Sequence, residues 1–215
     1  MSNPTQHPTP EMILDLARGA LAHGPQLVLR THVGACADCA AALRLAEAVG
    51  GVLIDELAPT DMAEGALEKA LAAIDAPPPS PQPPKAKQPI DWIHVPEEVL
   101  VAAERNRRWA APGVWVAPIR RDGKSGARSY LLGIGPGIAV PRHTHRGSEL
   151  ICVLKGAFED RGEIVRAGDL TDSDERVEHR PRVTMDSECV CLVAVDHALV
   201  PRDLIGRLMQ PFVGI

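Results

Sequence analysis

GIAVPRHTHRGSELICVLKG, residues 137–156, decides how the C-terminal two thirds of this chain folds. Gly137 is followed after five residues by His143-x-His145, after three more by Glu149 and after six more by Gly156. Side chains alternate faces along an extended strand, so His143 and His145 point the same way. Glu149 has the same parity, and Arg146-Gly147-Ser148 supply a turn or bulge that re-aims it. Further on, beyond a Gly168-Asp169 turn, an HRP run supplies His179. Imidazoles and one carboxylate facing a common interior form a ligand set for zinc, manganese, iron or nickel.

The surrounding sequence has the punctuation of an all-β unit. Short apolar or alternating runs such as GVWVAPIRR (113–121), SYLLGIGP (129–136), CVCLVAVD (189–196) and LIGRLMQPFVGI (204–215) are broken by Gly, Pro and Asp. Regular short strands with turn signals predict a sandwich or barrel. Cys189 and Cys191 fall on one face of such a strand, with Cα atoms about 6.5–7 Å apart, at the limit for a disulfide. They read as core cysteines, with redox sensing as the sharper alternative, and Cys152 reads as core.

Upstream the pattern changes. Residues 76–89 read APPPSPQPPKAKQP, seven prolines in fourteen residues, a composition that favours a semi-rigid polyproline spacer. The expected organisation is therefore a helical unit over 1–75, a proline-rich linker over 76–90 and the β unit over 91–215. Within the first unit, PEMILDLARGALAHG carries an apolar stripe through Ile13, Leu14, Ala17, Ala20 and Leu21, with Gly24-Pro25 as its stop signal. A short helix from Pro25 to Thr31, a second Ala/Leu-rich helix over 36–51 and another over 61–75, with Asp61 as N-cap and Glu64 three residues on, complete a small bundle. A bundle of this size is marginal without a staple.

RTHVGACADC, residues 30–39, offers that staple. His32, Cys36 and Cys39 are spaced i, i+4, i+7, which on a helix converges on one face. Thiolate and imidazole are the usual zinc ligands, and a structural site takes four. The fourth must come from elsewhere in the unit, where His7 and His23 are the other histidines. A thioredoxin-type redox pair is disfavoured because no βαβ pattern surrounds the cysteines.

Composition narrows the function. The chain is 45% hydrophobic and 3% aromatic, so its core rests on Ala, Leu, Val and Ile. The start lacks a basic segment followed by an apolar one, and no run approaches the ~18 apolar residues of a membrane helix, so a cytoplasmic protein is expected. Residues 1–76 carry four Lys/Arg against ten Asp/Glu, net −6, and residues 77–215 carry 19 against 18, net +1. The acidity belongs to the helical unit, and the overall charge of −5 argues against nucleic acid as a direct partner.

Residues 137–156 match the first motif of the cupin superfamily position for position, and the resemblance extends over roughly 95–200. The second cupin motif departs from the pattern: its glycine and His179 are present, its proline is absent and its histidine comes late. An acidic helical unit with HxxxCxxC, a proline spacer and a single cupin, in that order, resembles the ChrR family of zinc-binding anti-sigma factors over essentially the whole chain. The resemblance implies a multidomain protein, a zinc-stapled all-α bundle followed by a jelly-roll cupin. It makes His7, His32, Cys36 and Cys39 the zinc ligands of the first unit. It makes His143, His145, Glu149 and His179 the ligands of a second divalent cation, zinc first, with manganese, iron or nickel as alternatives. It further implies a non-enzymatic regulator that sequesters an extracytoplasmic-function sigma factor until singlet oxygen or a related oxidant acts through the cupin. The competing expectation is a metal-dependent cupin enzyme, of dioxygenase or isomerase type, with an accessory zinc unit.

Overall fold

A computed structural model describes residues 3–75, 87–89, 91–121, 126–197 and 200–201. The spacer residues 76–86 and the apolar run 204–215 lie outside the described residues.

The N-terminal part is helical. In α1 (Pro10–Ala17) Thr9 caps the first turn by accepting from the Met12 amide, and Pro10 occupies a position whose N–H would be unpaired anyway. The sequence suggested a longer helix, but Gly19 adopts a left-handed φ of 67° and ends it. Gly24-Pro25, expected as a stop, sits inside the first turn of α2 (His23–Ala35), where proline removes no hydrogen bond. Next comes α3 (Ala37–Asp55). Cys36 belongs to neither helix: at φ −117° and ψ 112° it is the C-cap of α2 and the N-cap of α3. That one extended residue replaces the single helical face expected for His32, Cys36 and Cys39, and lets α3 fold back against α1. Finally α4 (Ala66–Asp75) starts five residues after Asp61, behind Gly65 at φ 72°.

A helix that the sequence reading did not anticipate, α5 (Glu97–Arg105), leads into the β unit. Its signals are local: Pro96 at the N-cap, two glutamates in the first turn and Arg105 in the last, matching the helix dipole. Then follow β1 (Arg108–Ala111), β2 (Val114–Arg121), β3 (Arg128–Ile134), β4 (His143–Thr144), β5 (Glu149–Lys155) and β6 (Ala157–Asp160). The remaining strands are β7 (Glu163–Arg166), β8 (Leu170–Ser173), β9 (Glu178–His179), β10 (Arg182–Val183), β11 (Cys189–Val195) and β12 (Val200–Pro201). Among the described residues all pairings are antiparallel. A six-stranded sheet has the order β1-β2-β3-β11-β5-β8, and two three-stranded sheets, β10-β6-β7 and β12-β4-β9, complete an all-β cupin barrel.

The large sheet has two buried faces. Tyr130, Val153, Cys189, Cys191 and Val193 point into the barrel with Phe158 and Val165. Leu131, Leu150, Cys152 and Leu192 point outward, where they share one hydrophobic cluster with Ile13, Leu16 and Leu27 of the helices. Helix α2 lies directly on β5 and β11, and Gly24 abuts Ser129 and Ala194 so closely that a Cβ there would come within 3.2 Å of the Ala194 methyl. Each of Leu27, Val28 and Leu29 is at most 4% exposed, a burial that stabilises by about 1.5–3 kcal/mol per side chain as an upper estimate. Doubly covered β11 is buried at every position, which is why CVCLVAVD reads as a continuous apolar run rather than an alternating one.

Gly133 pairs with Trp115 across β2 and β3, and the indole lies over it. A Cβ at Gly133 would fall inside that ring. Trp115 is 2% exposed and donates from Nε1 to Glu188 at 2.6 Å, so it has little freedom to move. Gly133→Ala is expected to cost about 1–3 kcal/mol of stability by overpacking. Chemical denaturation of the full chain checks this, and an unchanged midpoint would refute it.

Candidate metal centres

Three short structural decisions assemble the first centre. The chain before α1 runs back across the barrel and delivers His7, α2 ends with His32 in its last turn, and the extended Cys36 turns the chain so that Cys39 opens α3 on the same side. His7, His32, Cys36 and Cys39 each offer a ligand atom, all within 4.8 Å of one another. His7 Nδ1 lies 3.5 Å from both Cys36 Sγ and Cys39 Sγ, and His32 Nε2 lies 3.3 Å from Cys39 Sγ. Neighbouring N and S ligands of a tetrahedral zinc ion are about 3.5 Å apart, from bonds of ~2.0–2.1 and ~2.3 Å. The set therefore fits such an ion. His32, with no exposed surface, donates from Nδ1 to the Gly168 carbonyl at 2.7 Å, which leaves Nε2 as a bare lone pair aimed at the thiols. Burial and the adjacent Cys36 push the Cys39 thiol up to about 12, so a cation entering here displaces its proton. His23, the other candidate for the fourth position, is elsewhere: its Nε2 meets Glu98 at 3.0 Å.

The second centre lies inside the barrel. Short strands β4 and β9 pair so that His143 faces His179 directly, which explains how a histidine 36 residues downstream joins the motif. His145 follows β4, and Gly147, at φ 88°, turns the chain so that Glu149 opens β5 toward the same point. His179 Nε2 lies 3.0 Å from His143 Nε2 and 3.1 Å from His145 Nε2, and His145 Nε2 lies 3.6 Å from a Glu149 oxygen. All four side chains are buried, and their ligand atoms are within 4.8 Å of one another.

The proton positions make this an arrangement for a cation. His143 Nδ1 must donate to the Pro141 carbonyl at 2.8 Å, and His179 Nδ1 donates to Asp160 Oδ2 at 2.8 Å. Both Nε2 atoms are thereby turned toward each other at 3.0 Å, where a shared cation would take both as ligands. Burial and the neighbouring His143 and His179 lower His145 to about 4, keeping it a neutral ligand. Burial, reinforced by Asp160, raises the Glu149 carboxyl to about 8 when no cation balances it.

Asp160 is the residue the sequence did not disclose. It sits at the end of β6, nineteen positions from His179, and no spacing rule connects the two. A cavity of about 60 Å³ adjoins the ligands, walled by Tyr130, Leu132, Ile151, Phe158 and the two cysteines of β11. Cys189 and Cys191 have their Sγ atoms 3.7 Å apart in that wall. The Cys189 thiol beside it and its own burial hold Cys191 well above the usual thiol range, so it stays protonated and unreactive as a nucleophile.

Among the described residues no helix is long and apolar enough to cross a membrane. The sequence profile of the family described as "ChrR Cupin-like domain" matches residues 96–199. The anti-sigma-E factor ChrR of Cereibacter sphaeroides is 35% identical over 210 residues, covering 97% of this chain and 98% of its own. The crystal structure of Rhodobacter sphaeroides SigE in complex with the anti-sigma ChrR contains a chain with 32% identity and a TM-score of 0.74, over 90% of this chain and all of that one. The barrel, the helices before it and the similarity along nearly the full length place this chain in the ChrR family.

Proposed function

We propose that this chain is an anti-sigma factor that holds an extracytoplasmic-function sigma factor through its helices and keeps it from core RNA polymerase. The observation that carries the reading is a pair of unpartnered apolar stripes. Leu45, Val49 and Val52 run along α3 at i, i+4, i+7, and Leu67, Leu71 and Ile74 repeat that spacing on α4, all between 53% and 78% exposed. Two amphipathic helices with bare apolar faces fit a helical partner. Sigma factors present basic DNA-binding surfaces, and the −6 charge of residues 1–76 steers toward them. The relative found in complex with SigE supports the same partner class.

In this reading His7, His32, Cys36 and Cys39 hold a structural zinc ion that fixes α2 and α3, and His143, His145, Glu149 and His179 hold the second divalent cation. The helices over 1–75, the spacer over 76–90 and the barrel over 91–215 divide the work between holding the partner and receiving the signal. Oxidative chemistry, of singlet oxygen or a related oxidant, acts at the barrel and releases the partner, in the cytoplasm and without an enzymatic turnover.

Co-expression of the tagged full chain with the sigma factor from its host tests the holding step. The double variant Leu67→Asp/Leu71→Asp is expected to lose the partner at least about a hundred-fold, since two buried leucines contribute about 1.5–3 kcal/mol each. Its thermal midpoint should stay within about two degrees of the parent, because both leucines are exposed in the free chain. Undiminished co-purification of the sigma factor would overturn the proposal.

A further inference from the structure

Two of the four ligands in the Cys/His centre are oriented by the barrel rather than by the helices. The Gly168 carbonyl accepts the His32 Nδ1 proton at 2.7 Å, across 136 residues of sequence. Beside it, Asp169 is 1% exposed and spends both carboxylate oxygens on backbone amides. Its Oδ1 accepts from Thr5 at 2.6 Å and Gln6 at 3.1 Å, the two residues immediately before His7, while Oδ2 accepts from Arg166 in its own turn. The Leu170 amide closes the clasp by donating to the Gln6 carbonyl at 3.1 Å. Gly168 has φ 98°, and a Cβ there would come within 2.9 Å of Pro4, so the chain before His7 lies flush on the turn.

We propose that the Gly168-Asp169 turn of the barrel is the positioning shell of the His7/His32/Cys36/Cys39 centre, so that this centre loses its cation faster when that turn is disturbed. The proposal rests on reading those four residues as a cation site. Gly168 fixes which imidazole nitrogen of His32 is available, and Asp169 fixes the path of the strap that delivers His7. Neither touches the cation. The turn is also tied to the barrel's own ligands. Gly168 donates to the Val153 carbonyl at 2.8 Å and Val153 donates to the Asp169 carbonyl at 3.1 Å, both on β5, the strand that begins at Glu149. A displacement of β5 in the barrel therefore reaches His32 and His7 through one two-residue turn.

The test uses the full chain loaded with Co(II). Only the first centre contains thiolates, so its sulfur-to-cobalt charge-transfer absorption reports that centre alone, and elemental analysis reports the total. Asp169→Ala is expected to lose the charge-transfer band to excess chelator about 10- to 100-fold faster than the parent, with the barrel cation retained. Thr5→Pro, which deletes one of the two strap amides without altering the barrel, should move in the same direction by several-fold. Equal loss rates in parent and both variants would overturn the proposal, as would loss of both cations together, which marks a general failure of the barrel. A parent chain that develops no charge-transfer band overturns the underlying cation reading itself, and is told apart by needing no variant to show it.

Discussion

Replacing Cys36 and Cys39 together by alanine is expected to lower the cation content from about two per chain to one and to abolish retention of the sigma factor. Both thiols are buried, at 1% and 7% exposure, in the cluster where α1, α2 and α3 meet the sheet. Apparent binding free energies of structural zinc sites run about 10–16 kcal/mol and act as folding free energy where the surrounding core is small. Here α3 contributes only Cys39 and Leu43 to the buried set, so a cation held at this centre would supply much of what keeps that helix in place. Without it α3 is expected to leave α1, and the stripe at Leu45–Val52 loses the support that holds it in place. Circular dichroism should show reduced helix content in the variant, and added chelator should reproduce the effect in the parent. The sign with pH follows from the thiol: a cation must displace the Cys39 proton, so affinity at this centre falls as pH falls. A double variant that keeps two cations, or keeps its partner at parental affinity, would remove the basis for the holding mechanism.

The second large effect is at the barrel. Glu149→Gln preserves shape but withdraws the one carboxylate from a set otherwise made of three imidazoles, and its cost in affinity should exceed the about 10- to 100-fold typical of changes beyond the direct ligands. The expected result is a chain with one cation, still showing the thiolate signature and still holding its sigma factor, but deaf to the oxidant. The cation-free parent gives an independent check. With its carboxyl raised from the ordinary 4.5 to about 8, Glu149 favours the protonated folded state. The stability it contributes is complete below about 4.5 and is lost as pH rises through about 8, whereas the Gln variant has no such slope from this position. Release of the partner from Glu149→Gln at the parental oxidant dose would separate the barrel cation from the signal.

What the sequence disclosed was what lies close together along it. His143, His145 and Glu149 fall within seven residues, and His32, Cys36 and Cys39 within eight, so local geometry alone brings them to common points. The strands β2, β3, β5 and β11 were legible as apolar runs between Gly, Pro and Asp. Contacts closed by the tertiary fold were not. Asp160 reaches His179 only because β6 returns beside the ligand strands, and Asp169 reaches Thr5 across 164 residues. The Gly168-Asp169 pair carried only the message of a turn. His7 against His23 was likewise open on residue type, because nothing local says which one the chain folds back. The break at Cys36 was hidden by the i, i+4, i+7 spacing, which an unbroken helix would satisfy equally well.

The hydrophobic cluster that joins Ile13, Leu16 and Leu27 to Leu131, Leu150 and Leu192 makes each half of the molecule a wall of the other. A barrel whose outer wall faces water needs no helices to cover it. This one would expose a bare leucine surface if its helices were exchanged for unrelated ones, and the helices would lose their floor. An enlarged side chain on one side of the seam would overpack against the other. Either half taken alone would therefore present an apolar seam to water, whatever the length of the proline tract between them.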